Sequence, residues 1–182
     1  MTDFLKLVSG RQSDRSFDPC HPVEKEKIER IVEAVRLAPS ACNSQPWHLI
    51  VVDEPELKNK VADTTSSRVL GMNHFTKQAP VHIVLVEEKV NFSSGVGGWI
   101  KKKDYAQLDL GIAAAHIALA AHAEGLGSCI VGWFDEKKMR QLLNIPESKR
   151  VWLDIVIGYG TQALRTKKRK SREEIVSFNN YK

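Results

Sequence analysis

The sequence is poor in cysteine, in metal-ligand spacings and in long apolar runs, and each shortage removes a class of protein. Cys20, Cys42 and Cys129 are an odd number at wide spacing with no Cys-x-x-Cys. That argues against a disulfide framework and against a cysteine zinc site. The six histidines include no His-Glu-x-x-His, so no metal site is recognisable. The amino terminus carries no long apolar run, and no signal peptide is expected. The stretch from Leu110 to Ala123 is too short and too rich in small residues to span a bilayer easily. A cytoplasmic location is therefore the default expectation. Internal repeats are absent, nothing before residue 160 resembles an interdomain linker, and no Gly-x-Gly-x-x-Gly follows a strand. A Rossmann sheet is disfavoured on that count, and a single α+β layered domain over residues 1–182 is preferred.

What is present fits a globular chain with a real core, since 182 residues are 42% hydrophobic and 27% charged. The net charge of +5 is concentrated locally: Thr166 to Arg172, TKKRKSR, holds five basic side chains in seven positions. Such a run reads as a solvated tail, a nucleic-acid contact or a phosphate clamp.

Periodicity places a short helix at Asp3 to Val8 and a second from Pro22 to about Leu37, with Ile28, Ile31, Val32 and Val35 on its inner stripe. WHLIVV (47–52) and VHIVLV (81–86) read as buried strands, with a weaker helical pattern over 55–70 between them. Residues 87–104 read as an irregular loop in which Phe92 and Trp99 flank a run from Ser93 to Gly98. That run lacks the Gly-Lys-Ser/Thr ending of a phosphate loop. A long helix follows from about Asp104 to Gly125, apolar on nearly every face from Leu110 to Ala121, and so expected to be buried all round, either as a central core helix or packed across a dimer interface. His116 and His122 on it read as hydrogen-bonded structural histidines. Gly125 reads as its C-cap, Ser128 to Val131 as a strand, Asp135 as the N-cap of a short helix, and Val151 to Gly158 as the last core strand.

Two segments carry polar groups suited to a ligand. If residues 11–17 are extended, alternation sets Arg11, Ser13 and Arg15 on one side, a cradle for a phosphate. The loop from Ala38 to Pro46, closed by prolines between a helix end and a strand, offers Ser40, Asn43, Ser44 and Gln45 to a flat, polar-edged ligand. Its bland reading is a connector whose polar side chains cap their own backbone.

Taken together, these segments resemble the nitroreductase family of FMN-dependent oxidoreductases. The ordered set is Arg-x-Ser-x-Arg-x-Phe at 11–17, Pro-Ser-Ala-x-Asn-x-Gln-Pro-Trp at 39–47, Asp-x-Gly-Ile-Ala at 109–113, Gly-Leu-Gly-Ser at 125–128, Gly-Trp-Phe-Asp at 132–135, Ile-Gly-Tyr at 157–159, and the Lys-Lys-Arg-Lys tail. The resemblance implies a three-layer α+β fold, with a mixed or antiparallel sheet between helices, and an intertwined homodimer with FMN at the interface. It implies that Arg11 and Ser13 hold the phosphate and ribityl chain, with Arg15 near the flavin N1–O2 edge. Pro39, Ser40, Ala41 and Asn43 would come from the other subunit, Val131 and Gly132 would line the ring, and Lys167 and Arg169 would close on the phosphate. Ala41 stands where many members carry a second serine, and Gln12 where a basic residue is frequent.

The implied activity is ping-pong reduction of a flat acceptor (a nitroaromatic, a quinone or a free flavin) by NADH or NADPH. The cofactor carries the chemistry, so no catalytic side chain is assigned. The alternatives are a non-catalytic flavin-binding or regulatory module, and a reductive dehalogenase-like or flavin-fragmenting relative. A nucleic-acid binder using residues 166–172 is disfavoured, because the resemblance gives those basics to a phosphate. No membrane partner is expected.

Overall fold

Four strands carry the architecture in the computed structural model, which describes residues 1–67, 71–91 and 104–181. They are β1 (Trp47–Val52), β2 (Val81–Glu87), β3 (Gly127–Val131) and β4 (Val151–Gly158), in the order β1-β2-β4-β3 with every pairing antiparallel. The two central strands are buried along almost their whole length, as expected of runs covered on both faces. The only parallel element among the described residues is an isolated bridge between Ser13 and Ser128, outside the named strands.

Among the described residues the helices are α1 (Asp3–Gly10), α2 (Lys25–Arg36), α3 (Pro55–Thr65), α4 (Tyr105–Ala123), α5 (Glu136–Leu142) and α6 (Arg172–Ile175). Alternation along β2 and β4 splits their side chains between two cores. Ile83, Leu85, Ile155 and Ile157 meet Ile31 and Val35 of α2 and Ala113 and Ile117 of α4. Val84, Val86 and Val151 meet Val61 of α3, Met139 of α5 and Ile145. The result is the expected three-layer α+β arrangement, with helices on both faces of one sheet.

Local chemistry fixes the helix ends. The Glu54 carboxylate accepts from the Glu56 and Leu57 amides ahead of Pro55, and Asp135 accepts from Lys138 N. Gly125 takes φ +76° just past α4, where only glycine is unstrained. Two boundaries differ from the periodicity. Helix α2 begins at Lys25 rather than Pro22, because residues up to Glu24 stay extended while the Tyr159 hydroxyl donates to the Glu24 carboxylate at 2.8 Å. Helix α3 stops at Thr65, where Ser66 is extended. Of the residues expected beyond it, Leu70 lies outside the described residues, as do Phe92, Trp99 and most of the 87–104 loop.

Within the single chain α4 is not buried on every side. Ala106, Leu110, Ala113, Ile117 and Ala121 face the core, but Leu108, Gly111 and Ala115 are exposed. The neighbouring α1 buries none of its residues and exposes Phe4, Leu5 and Val8. The uniform apolarity of α4 therefore covers one core face and one open apolar face in the single chain. His116 Nδ1 donates to Ile112 O of its own helix at 2.8 Å, whereas His122 lies against Gly10.

Candidate functional site

The first wall of the site is the extended segment 11–17, laid along β3. Asp14 N donates to Ser128 O at 2.9 Å, beside the Ser13–Ser128 bridge. Period-two alternation then turns Arg11, Ser13 and Arg15 to one cavity and Asp14 inward, where it is 6% exposed. Glycine makes room for that carboxylate: a Cβ on Gly127 would lie 2.7 Å from Asp14 Oδ2.

The second wall is the tail that leaves β4 and folds back along the first. Ser16 and Thr161 share a hydroxyl hydrogen bond of 2.6 Å, and Arg15 N donates to Gln162 Oε1 at 2.9 Å. Further on, Arg165 Nη2 donates to Ser13 O at 2.5 Å and Lys167 Nζ donates to Arg11 O. Between the walls lies a cavity of about 420 Å³, lined by Arg11, Gln12, Ser13 and Arg15 on one side and residues 165–169 on the other. Six of those side chains are cationic. Partial burial and the repulsion of Arg11, Arg169 and Arg165 hold the Lys167 ammonium below its ordinary pKa. A site that gathers this much positive charge is one that an anion stabilises, and this donor set fits a dianionic phosphate. Arg165, Lys168 and Gln12 line the cavity in addition to the expected residues.

The loop 38–46 does not line that cavity. Ala41–Asn43 forms a single 3-10 turn, and Cys42, Asn43 and Gln45 all take left-handed φ values of 51°, 52° and 47°. Three non-glycine residues in that region are costly, so the surroundings must hold them there. Part of that hold is local, as the bland reading has it: Ser40 Oγ accepts from Gln45 N at 2.9 Å and Asn43 Oδ1 from Gln45 Nε2 at 3.0 Å. The rest is tertiary. Asp109 on α4, 3% exposed, accepts from Ala41 N through both oxygens at 3.0 and 3.1 Å. Pro39, Cys42 and Asn43 are exposed, with Ser40 and Ala41 half-buried. Asp109→Ala is expected to destabilise the protein by about 2–3 kcal/mol, because a buried amide loses its charged acceptor. Chemical denaturation at fixed protein concentration measures this; an unchanged midpoint would show that the strained loop holds itself.

Val131, buried at the end of β3, and exposed Gly132 follow the strand that carries Ser128, beyond the stretch where the first wall is paired. Asn73 and Lys77 are used structurally: Asn73 Nδ2 donates to Thr65 O at 3.1 Å, and Lys77 pairs with Asp63 at 2.6 Å. Across the neighbouring strands β2 and β4 lies a polar pair that the sequence reading missed. His82 Nδ1 meets Asp154 Oδ2 at 2.8 Å and His82 Nε2 meets Thr76 O at 3.2 Å, with both side chains fully buried. Its signal was one titratable residue in each of two otherwise apolar strands, VHIVLV and VWLDIVIG. Cys129, between that pair and the cavity, is an inert buried thiol whose pKa burial pushes up.

Known proteins share this chain's sequence and fold. Residues 8–72 and 65–159 match the model of the nitroreductase family. The oxygen-insensitive NADPH nitroreductase of Helicobacter pylori strain J99 is 26% identical over 200 residues, covering 95% of each chain. An FMN reductase [NAD(P)H] of Bacillus subtilis is 26% identical over 187 residues, spanning 96% of this chain and 73% of its own. Among solved structures, an FMN-dependent nitroreductase of Clostridium difficile is 32% identical with a TM-score of 0.74, covering 97% of this chain and 99% of that one.

Proposed function

The chain belongs to the nitroreductase family, and on that footing we propose that it is an FMN-dependent oxidoreductase that uses NAD(P)H to reduce a flat acceptor by a ping-pong route. The observation that carries the reading is the cationic cavity between residues 11–15 and 165–169, which matches the charge and donor set of a phosphate monoester. Arg11, Ser13, Lys167 and Arg169 are the residues assigned to the FMN phosphate and ribityl chain. Arg15 is assigned to the N1–O2 edge, where a cation stabilises negative charge that develops on reduction. Val131 and Gly132 are assigned to the ring. The chemistry a bound FMN supplies is reversible two-electron redox, which is what exchange between NAD(P)H and a nitroaromatic, quinone or free flavin requires. The protein's share is to bind, orient and tune, and no side chain is given a nucleophilic or basic role.

The reading includes a homodimer with residues 1–182 as one FMN-binding domain, working in the cytoplasm. Two features support the dimer. The apolar face of Phe4, Leu5, Val8 and Leu108 is open in the single chain. Pro39, Ser40, Ala41 and Asn43 are held in a strained, outward-lying loop that takes no part in its own chain's cavity, as expected if they serve a second copy's site. The tail basics gather around a cavity closed by main-chain contacts, which favours a phosphate over a nucleic-acid track.

The visible spectrum of the purified protein, recorded alone and then anaerobically with NADH or NADPH, tests the reading. Flavin bands that bleach on adding the nucleotide are expected. Bands that persist would leave a flavin-binding module without turnover. A colourless protein that also refuses added FMN would overturn the assignment.

A further inference from the structure

The strap from 163 to 169 supplies four of the cavity's six cationic side chains, yet it is exposed along almost its whole length and buries no apolar side chain. Its position must come from polar contacts, and one side chain on the first wall makes more of them than any other. Gln12 Nε2 donates to Ala163 O at 3.3 Å and to Asp14 Oδ1 at 2.9 Å. Gln12 Oε1 accepts from Arg165 N at 3.1 Å and Arg165 Nε at 3.4 Å. One amide thus grips the strap at a carbonyl and at an N–H two residues further on. Asp14, wedged against Gly127 and Gly160, fixes which way that amide faces.

Only a side chain with a donor and an acceptor at this reach can make both grips. A lysine could donate to Ala163 O and Asp14, but it would set a cation against the Arg165 guanidinium instead of accepting from it. Leucine could do neither. We propose that Gln12 is a positioning residue that docks the basic strap onto residues 11–15 and thereby assembles the anion site. The strap is held to Gln12, to Ser13 O and to Arg11 O by contacts of the protein itself. This rests on the functional reading only for the identity of the anion.

The test compares wild type with Gln12→Leu and Gln12→Lys, all stripped of flavin, by hydrogen–deuterium exchange over residues 162–170 and by titration with FMN. Both variants are expected to lose exchange protection in the strap and to bind FMN about tenfold or more weakly, a loss of about one or two hydrogen bonds, with unchanged melting temperature. The lysine variant is the sharp arm: if Gln12 mattered only through local charge, an added cation would tighten FMN. Tighter binding by Gln12→Lys, or weaker binding with strap protection unchanged, overturns the proposal. So does wild-type protection in both variants. Should wild type bind no FMN, the functional reading falls, and the exchange comparison alone decides the role of Gln12.

Discussion

Arg11→Ala combined with Arg169→Ala is expected to weaken FMN binding by about 100- to 1,000-fold, so that the protein purifies colourless with its fold intact. Each guanidinium is assigned a charge-assisted contact to a dianion, worth about 1.5–3 kcal/mol, and about 1.4 kcal/mol is tenfold in affinity. The two losses share one ligand, so they will add imperfectly. Little else depends on these side chains. The Arg11 contact that ties the strap uses its main-chain oxygen, which alanine keeps, and Arg169 is exposed with its guanidinium on Lys168 O at 2.7 Å. Circular dichroism, melting temperature and elution volume should match wild type, while equilibrium dialysis reports the lost affinity. Full FMN occupancy in the double variant would sink the assignment of this cavity to the phosphate.

The largest effect on stability is expected at the buried pair. Asp154→Ala should destabilise the protein by about 3–5 kcal/mol, because it strands a polar partner in the core. The geometry explains the size. Thr76 O can only accept, so His82 Nε2 donates to it, and Nδ1 is hydrogen-bonded to the Asp154 carboxyl group. Without Asp154, His82 Nδ1 is left without its partner in the fully buried interior. Because Asp154 Oδ1 has no hydrogen-bond partner, the intact pair is itself imperfectly satisfied. Replacing both members by leucine should therefore cost less than removing either one. Denaturant midpoints for the two singles and the double form the cycle, at one protein concentration because the stability of the proposed dimer would depend on it. A single substitution costing under about 1 kcal/mol would mean that water or a neighbour already serves the pair.

The elements were legible because each depends on a few neighbouring residues. Ile28, Ile31 and Val35 repeat at helical spacing, and they are the buried residues of α2. WHLIVV and VHIVLV are strands because β-branched runs of that length entered through a proline have few other uses. The positions of Arg11, Ser13 and Arg15 around one cavity likewise follow from alternation once residues 11–17 are extended. The ends of elements were less legible, since Glu24 meeting Tyr159, or Thr65 meeting Thr76, joins residues distant in sequence.

The all-round apolar α4 shows where local reading stops. Its composition states that both faces avoid water, but not what covers the second one. Gln12 shows the same limit from the other side: read alone it is a missing cation, and only the strap lying against it reveals four hydrogen bonds. The sequence by itself determined the layered α+β class, the family, and which short segments carry the charge, since these rest on periodicity and ordered motifs. Only the tertiary structure decided that the first wall and the tail close one cavity, that Asp109 holds the strained loop, and that His82 meets Asp154. Those contacts join residues from about 68 to more than 150 positions apart. No local propensity encodes such a pairing, because the free energy that makes it is released only when the sheet brings its ends together.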